Sequence, residues 1–123
     1  MMKKIEGATP ALGPYSAGVA WGDLVFVSGQ IPTDANGDLP EGIEAQAEQS
    51  IKNVQAVLEN AGSDLRHVLK TTVFLRDMDD FAKVNEVYAR YFDGDVKPAR
   101  SCVQAAKLPK DMPLEIEAIA LRK

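Results

Sequence analysis

The sequence is poor in residues that staple, ligate or relay, with one cysteine, one histidine and one tryptophan among 123 positions. A lone cysteine closes no internal disulfide, which suits a reducing compartment and makes the cytoplasm the expected location. No cysteine–histidine or histidine–carboxylate cluster has metal-ligand spacing, which argues against a metal site. Positive charge is also in deficit. Fourteen lysines and arginines stand against eighteen aspartates and glutamates, a net charge of −4, whereas a nucleic-acid binder usually carries a basic stripe. No apolar run approaches the ~20 residues of a membrane span. The opening stretch MMKKIEGATPALGPYS lacks the apolar segment of a secretory signal. Neither GxGxxG nor GxxxxGK(S/T) occurs, so neither common nucleotide-binding loop is supported.

What is present is ordinary globular composition, 46% hydrophobic and 26% charged. With no repeat, linker or low-complexity segment, residues 1–123 are expected to form a single domain. VAWGDLVFVS at 19–28 reads as a strand pair turning at Gly22-Asp23. From Ile43 to Ala61 the apolar residues recur in steps of three and four, which predicts a helix ending at Gly62. VLKTTVFLRD is a strand by its Val and Thr content. Asp79 is placed to cap a second helix with the stripe Phe81, Val84, Tyr88, Tyr91 and Phe92. ARSCVQAA and LEIEAIALR are the last extended stretches. Two strand–helix–strand crossovers then predict an α/β (α+β) sheet with both helices on one face.

That arrangement leaves a face uncovered. Leu24 and Phe26 alternate with Val25 and Val27, and Phe74 with Val73 and Leu75, so the strands are apolar on both sides. Burial against copies of the same chain is the simplest remedy for such a patch, and self-association is expected.

The stretch PARSC concentrates the chemistry. Arg100, Cys102 and Gln104 share one side of their strand; Glu115 and Glu117 share one side of the last strand with Ile119 and Leu121. If the two strands lie near each other, an arginine, a thiol and a carboxylate converge. The plain alternative is a rim salt bridge between Arg100 and a glutamate. Cys102 as a nucleophile needs a base, and the one histidine, His67, falls in the polar loop after the first helix. A small buried hydrophobe is the simpler role for Cys102. Asn85 lies on the stripe of the second helix and must find polar partners there. Tyr15 follows Gly13-Pro14, whose turn aims the phenol.

GPYS at 13–16, SGQIP at 28–32, KTTVFL at 70–75, PARSCV at 98–103, LP at 108–109 and EIEAIA at 115–120 occur in that order. The set closely resembles the Rid family of reactive-intermediate deaminases, and within it the 2-iminobutanoate/2-iminopropanoate deaminase subfamily. The resemblance covers almost the whole chain. It implies a chorismate-mutase-like fold assembled as a homotrimer, with three sheets around a central barrel and active sites between subunits. It implies that Arg100 grips a substrate carboxylate, Glu115 orients or activates water, and Tyr15 completes the catalytic set. Cys102, Ser28, Gly29 and Asn85 would line the substrate pocket. The implied reaction hydrolyses reactive 2-imino acids, released as enamines by pyridoxal-phosphate enzymes, to 2-keto acids and ammonia, with no cofactor. Two other classes stay open: a small-ligand-binding or chaperone-like module without turnover, and an RNA-directed activity, against which the net negative charge counts.

Overall fold

The computed structural model describes all 123 residues. In chain order the elements are β1 (Lys3–Ile5), β2 (Gly18–Trp21), β3 (Leu24–Gln30), α1 (Ile43–Asn60), β4 (Val68–Leu75), α2 (Phe81–Tyr91), β5 (Ala99–Gln104) and β6 (Leu114–Leu121). The six strands form one mixed sheet in the order β1-β2-β3-β6-β4-β5. β6, the last strand made, inserts between β3 and β4 and runs antiparallel to both. β3 and β4 are therefore parallel and joined through α1. β4 and β5 are adjacent and parallel, joined through α2. No helix is long and apolar enough to cross a membrane.

Alternation decides which side of each strand is buried. Val25, Val27, Val73, Leu75, Leu114, Ile116, Ala118 and Ala120 face the helices and are buried. Against them α1 sets Ala47, Ile51, Val54, Val57 and Leu58, and α2 sets Val84, Val87 and Tyr88. Each fully buried aliphatic side chain contributes about 1.5–3 kcal/mol, so Ile51→Ala, which leaves a void at a fully buried position, is a change of about 2–5 kcal/mol. The end of α1 matches its sequence signal. Gly62 takes φ +77°, and the N–H groups of Gly62 and Ser63 return to the carbonyls of Glu59 (3.1 Å) and Leu58 (2.8 Å).

The opposite face has no helix on it. Trp21, Leu24, Phe26, Val103 and Leu121 are exposed there, with Phe74 and Ile119 half-buried beside them. Met1, Met2, Val19, Trp21 and Phe26 line an apolar hollow on this side.

Two local expectations need correction. Asp79 does not cap α2. The side chain of Asp77 accepts from the N–H of Asp79 (2.9 Å), capping a 3-10 turn over Met78–Asp80, and α2 follows from Phe81 without a side-chain cap. With aspartates at 77, 79 and 80 the sequence offers several caps, and the tighter turn uses the first. β1 was not anticipated. Its three residues include two lysines and carry too little pattern to register, yet they pair with β2 and bury Ile5.

Candidate active site

The predicted residues fall into two groups on opposite faces of the sheet. Residues opposite one another on neighbouring strands share a face. Arg100 is in register with Thr71, and Thr71 with Ala118; all three belong to the helix side, where Thr71 and Ala118 are buried. Glu115 is in register with Phe74, and Phe74 with Val103, on the uncovered side. The convergence of Arg100, Cys102 and the glutamates that their spacing allowed therefore does not occur within one chain.

The first group surrounds a cleft of about 520 Å³ on the uncovered side. Its back wall is an irregularity in β3, whose register against β6 shifts between Val27 and Gln30. Such bulges redirect a strand locally. The N–H of Ser28 donates to the Ala17 carbonyl (2.9 Å) and its hydroxyl to the Ser16 carbonyl (2.6 Å). The Ser28 side chain thus ties the N-terminal segment to the strand. Gly29 is required by space, since a Cβ there would overlap the Glu115 carboxylate. Past the strand, Asn53 of α1 donates both amide hydrogens, to the carbonyls of Ile31 (2.9 Å) and Thr33 (2.8 Å), and the buried Ser50 donates to the carbonyl of Gln30 (2.9 Å). Tyr15 follows a tight turn closed by its own N–H on the Gly13 carbonyl (2.8 Å); its phenol accepts from the N–H of Leu12 (3.3 Å). Glu115 is half-buried, and its carboxyl is pushed above the usual range, first by burial and then by the charge of Glu117.

Among the other residues lining this cleft, Asn53, Lys110 and Glu117 carry polar or charged side chains outside the predicted site set. Lys110 and Asp111 form a left-handed turn, φ 55° and 54°, although neither is glycine. Residues in this region cost of order 1–3 kcal/mol each and persist where surroundings hold them. Here Arg76 donates to the Asp111 carbonyl (2.9 Å). The LP motif at 108–109 was the available signal for this turn.

The second group sits at the sheet edge against α2. Arg100 donates from Nη1 to the Asn85 side-chain carbonyl (2.7 Å). Its guanidinium carbon lies 4.8 Å from the centroid of the Tyr88 ring and 5.4 Å from that of Phe81. Tyr88 is itself fixed by a hydrogen bond with Thr71 (2.7 Å) and by stacking on Phe92. No carboxylate pairs with Arg100, so the rim salt bridge is absent. Cys102 is half-buried beside it, and burial pushes the thiol up against a smaller opposing pull from Arg100. His67 is engaged elsewhere, its Nδ1 2.6 Å from Asp64. Cys102 aligns with Val73, six residues along β4 from His67, a separation of about 20 Å. Gln104, outside the predicted set, accepts from the N–H of Met78 (2.8 Å) and anchors the turn before α2.

Together the two groups offer a planar cation with unused donors and a carboxyl held beside a close-approaching backbone. The family described as Endoribonuclease L-PSP matches residues 6–122. The chain is 50% identical over 121 residues to the 2-iminobutanoate/2-iminopropanoate deaminase of Salmonella typhimurium, covering 96% of this chain and 94% of that one. It is 52% identical to a RutC family protein of Haemophilus influenzae, covering 96% and 94%. Among solved structures it is similar to Escherichia coli TdcF with bound serine, with TM-score 0.93 and 48% identity, covering 98% of this chain and 99% of that chain.

Proposed function

Because the chain belongs to the family described as Endoribonuclease L-PSP and is about half identical, over nearly its whole length, to curated 2-iminobutanoate/2-iminopropanoate deaminases, we propose that it hydrolyses small 2-imino acids to 2-keto acids and ammonia. The observation that carries this reading is Arg100. An arginine without a carboxylate partner, steadied by Asn85 and an aromatic platform, keeps most of its five donors available for a carboxylate. Bound serine in TdcF is a ligand with the same α-carboxylate.

Since Arg100 and Glu115 occupy opposite faces of one sheet, we infer that each active site is assembled from two copies, with the uncovered apolar face buried between them. A homotrimer with three intersubunit sites fits that requirement. Arg100 of one copy holds the substrate carboxylate by paired charge-assisted hydrogen bonds. Asn85 fixes its orientation, and Cys102 fills the floor as a thiol. From the other copy, Ser28 and Gly29 present backbone, Tyr15 closes the cleft, and Glu115 holds water against the imine carbon. Glu115, whose carboxyl burial and then the charge of Glu117 push toward the protonated form, donates to the imine nitrogen as water adds. The carbinolamine then collapses, carbon–nitrogen cleavage releasing ammonia and leaving the keto acid. The imine carries its own activation, so these residues suffice for the chemistry.

The test generates 2-iminobutanoate in place with a threonine dehydratase and follows its disappearance and the release of ammonia. Acceleration over the spontaneous rate, saturable in substrate, supports the reading. A homogeneous, correctly assembled protein that leaves the spontaneous rate unchanged overturns it.

A further inference from the structure

Imine hydrolysis moves protons at two atoms, the nitrogen that leaves and the oxygen that arrives, and the reading above gives both to Glu115. The cleft contains a second carboxylate. Glu117 lies two positions further along β6, on the same face, and lines the same cavity. Glu115 is half-buried over Gly29, whereas Glu117 is exposed to solvent. One carboxyl group lies against the backbone of β3 and the other stands exposed in the cleft within its own chain. Two such groups whose environments differ are the usual arrangement for dividing acid and base roles.

We propose that Glu117 is the proton relay of this site, passing protons between the water in the cleft and the reaction centre that Glu115 serves. The inference rests on the deaminase reading and deepens it. In the first step the water oxygen bonds to the imine carbon, the π pair moves to nitrogen, and nitrogen takes the proton of Glu115. The proton lost by the water passes through solvent to Glu117. In the second step the carbinolamine hydroxyl returns a proton to Glu115 as the carbonyl forms. The carbon–nitrogen bond breaks with its pair on nitrogen, which takes up the proton held by Glu117 and leaves as ammonia. Both carboxyls end as they began.

The charged and titratable groups around Glu115 are few. Glu117 comes from its own strand, Tyr15 from the N-terminal segment and Lys110 from the left-handed turn. β3 and α1 contribute only the neutral Ser28, Gln30 and Asn53. Just past β4, Arg76 lies two residues beyond Phe74 and is engaged with the Asp111 carbonyl (2.9 Å), and on β4 itself Lys70, in register with Ile119, is engaged with Ser101 of β5 (3.1 Å). In an assembled site Arg100 of the neighbouring copy also faces the cleft, where the substrate carboxylate balances it. Among these groups it is the charge of Glu117 that, with burial, pushes Glu115 up. Activity that needs protonated Glu115 falls as pH rises through that raised value. Removing the charge of Glu117 moves this alkaline limb to lower pH.

The experiment compares the parent with Glu117→Gln and Glu117→Asp, measuring kcat, KM and the pH dependence of kcat for 2-iminobutanoate, with oligomeric state checked. The expected result for Glu117→Gln is a fall in kcat of about a hundredfold, at the low end of general acid–base contributions. KM changes little, because Arg100 is untouched, and the alkaline limb shifts downward. Glu117→Asp recovers part of both effects. A structural role for Glu117 would leave the position of the limb unchanged. A parent that does not accelerate hydrolysis overturns the deaminase reading and the relay with it. An active parent whose kcat at low pH survives Glu117→Gln overturns the relay alone, wherever the limb lies.

Discussion

If Arg100 and Glu115 serve one site from two copies of the chain, two inactive variants must rescue each other. Arg100→Ala removes the carboxylate clamp from one face of the sheet and Glu115→Gln removes the acid from the other. Neither side chain holds the core. Arg100 is exposed, bonded within its chain only to Asn85, and Glu115 is half-buried at a cleft. Both variants should fold and assemble. In a mixed oligomer, a site regains function when its arginine comes from the Glu115→Gln chain and its glutamate from the Arg100→Ala chain. With equal expression and random assembly that holds for about one quarter of the sites, whatever the number of copies in a closed ring. The assay co-expresses the two chains with different tags, verifies by pull-down on each tag that mixed oligomers form, and follows ammonia release from the whole oligomer population. Recovery to roughly a quarter of parent activity, against a background about a hundredfold or more lower for each variant alone, is the expected outcome. A control mixes the parent with the double variant: sites shared between copies leave about one quarter active, whereas sites complete within one chain leave about one half. Mixed oligomers that form and show no rescue would refute the shared site.

Arg100→Ala on its own should lose two charge-assisted hydrogen bonds of about 1.5–3 kcal/mol each, or two to four powers of ten in kcat/KM. Arg100→Lys should recover only part, because an ammonium lacks the planar fork. Gly29→Ala should fold, since the atoms its Cβ meets are the flexible end of Glu115. Steady-state rates should nevertheless show a loss of about a hundredfold, comparable to deleting a general acid. Cys102→Ala should keep activity within a few-fold of the parent, because burial favours the neutral thiol and no histidine is near; abolished turnover in a folded variant would revive covalent catalysis. Asp64 is held below the usual aspartate range, first by its hydrogen bond to His67. A depressed carboxylate stabilises the fold above its unfolded pKa and loses that contribution as pH falls through the folded value. Thermal melts should therefore show Asp64→Asn less stable than the parent at neutral pH, with the gap narrowing below the usual aspartate range.

The sequence made the faces of individual strands legible and hid their relation to each other. Alternation alone paired Glu115 with Glu117 and Arg100 with Cys102, and it separated Phe26 from Val27, all as the structure has them. Whether Arg100 and Glu115 look the same way depends on register across β4. That register is set by long-range pairing of β6 between β3 and β4, for which no local signal exists. The partners of Asn85 were equally hidden. Its place on α2 was readable, but its contact with Arg100 depends on the β4–α2–β5 crossover. No glycine marks the left-handed conformation of Lys110, so the sequence carries no local signal for that conformation. Glu117 was visible as a neighbour of Glu115 but had no distinguishing context until both lined one cleft.

The uncovered face and the chemistry are two aspects of one pattern. Glu115 and Glu117 lie on the same side of β6 as Ile119 and Leu121, and that side continues across β3 through Phe26 and Leu24, in register with Ile119 and Leu121. A copy packed over the apolar part of this face removes Trp21, Phe26 and Leu121 from water and, in the same movement, walls off the cleft that adjoins them. Removing water strengthens every electrostatic interaction inside the cleft and deepens the burial that already pushes the Glu115 carboxyl up. Arg100, on the far side of its own sheet, is useless to its own Glu115 but stands at the edge strand β5, where a neighbouring copy can reach it. In the proposed assembly, association that hides the apolar face also supplies the cation, so a fold with exposed Trp and Phe on one surface would gain its active site from the contact that covers them.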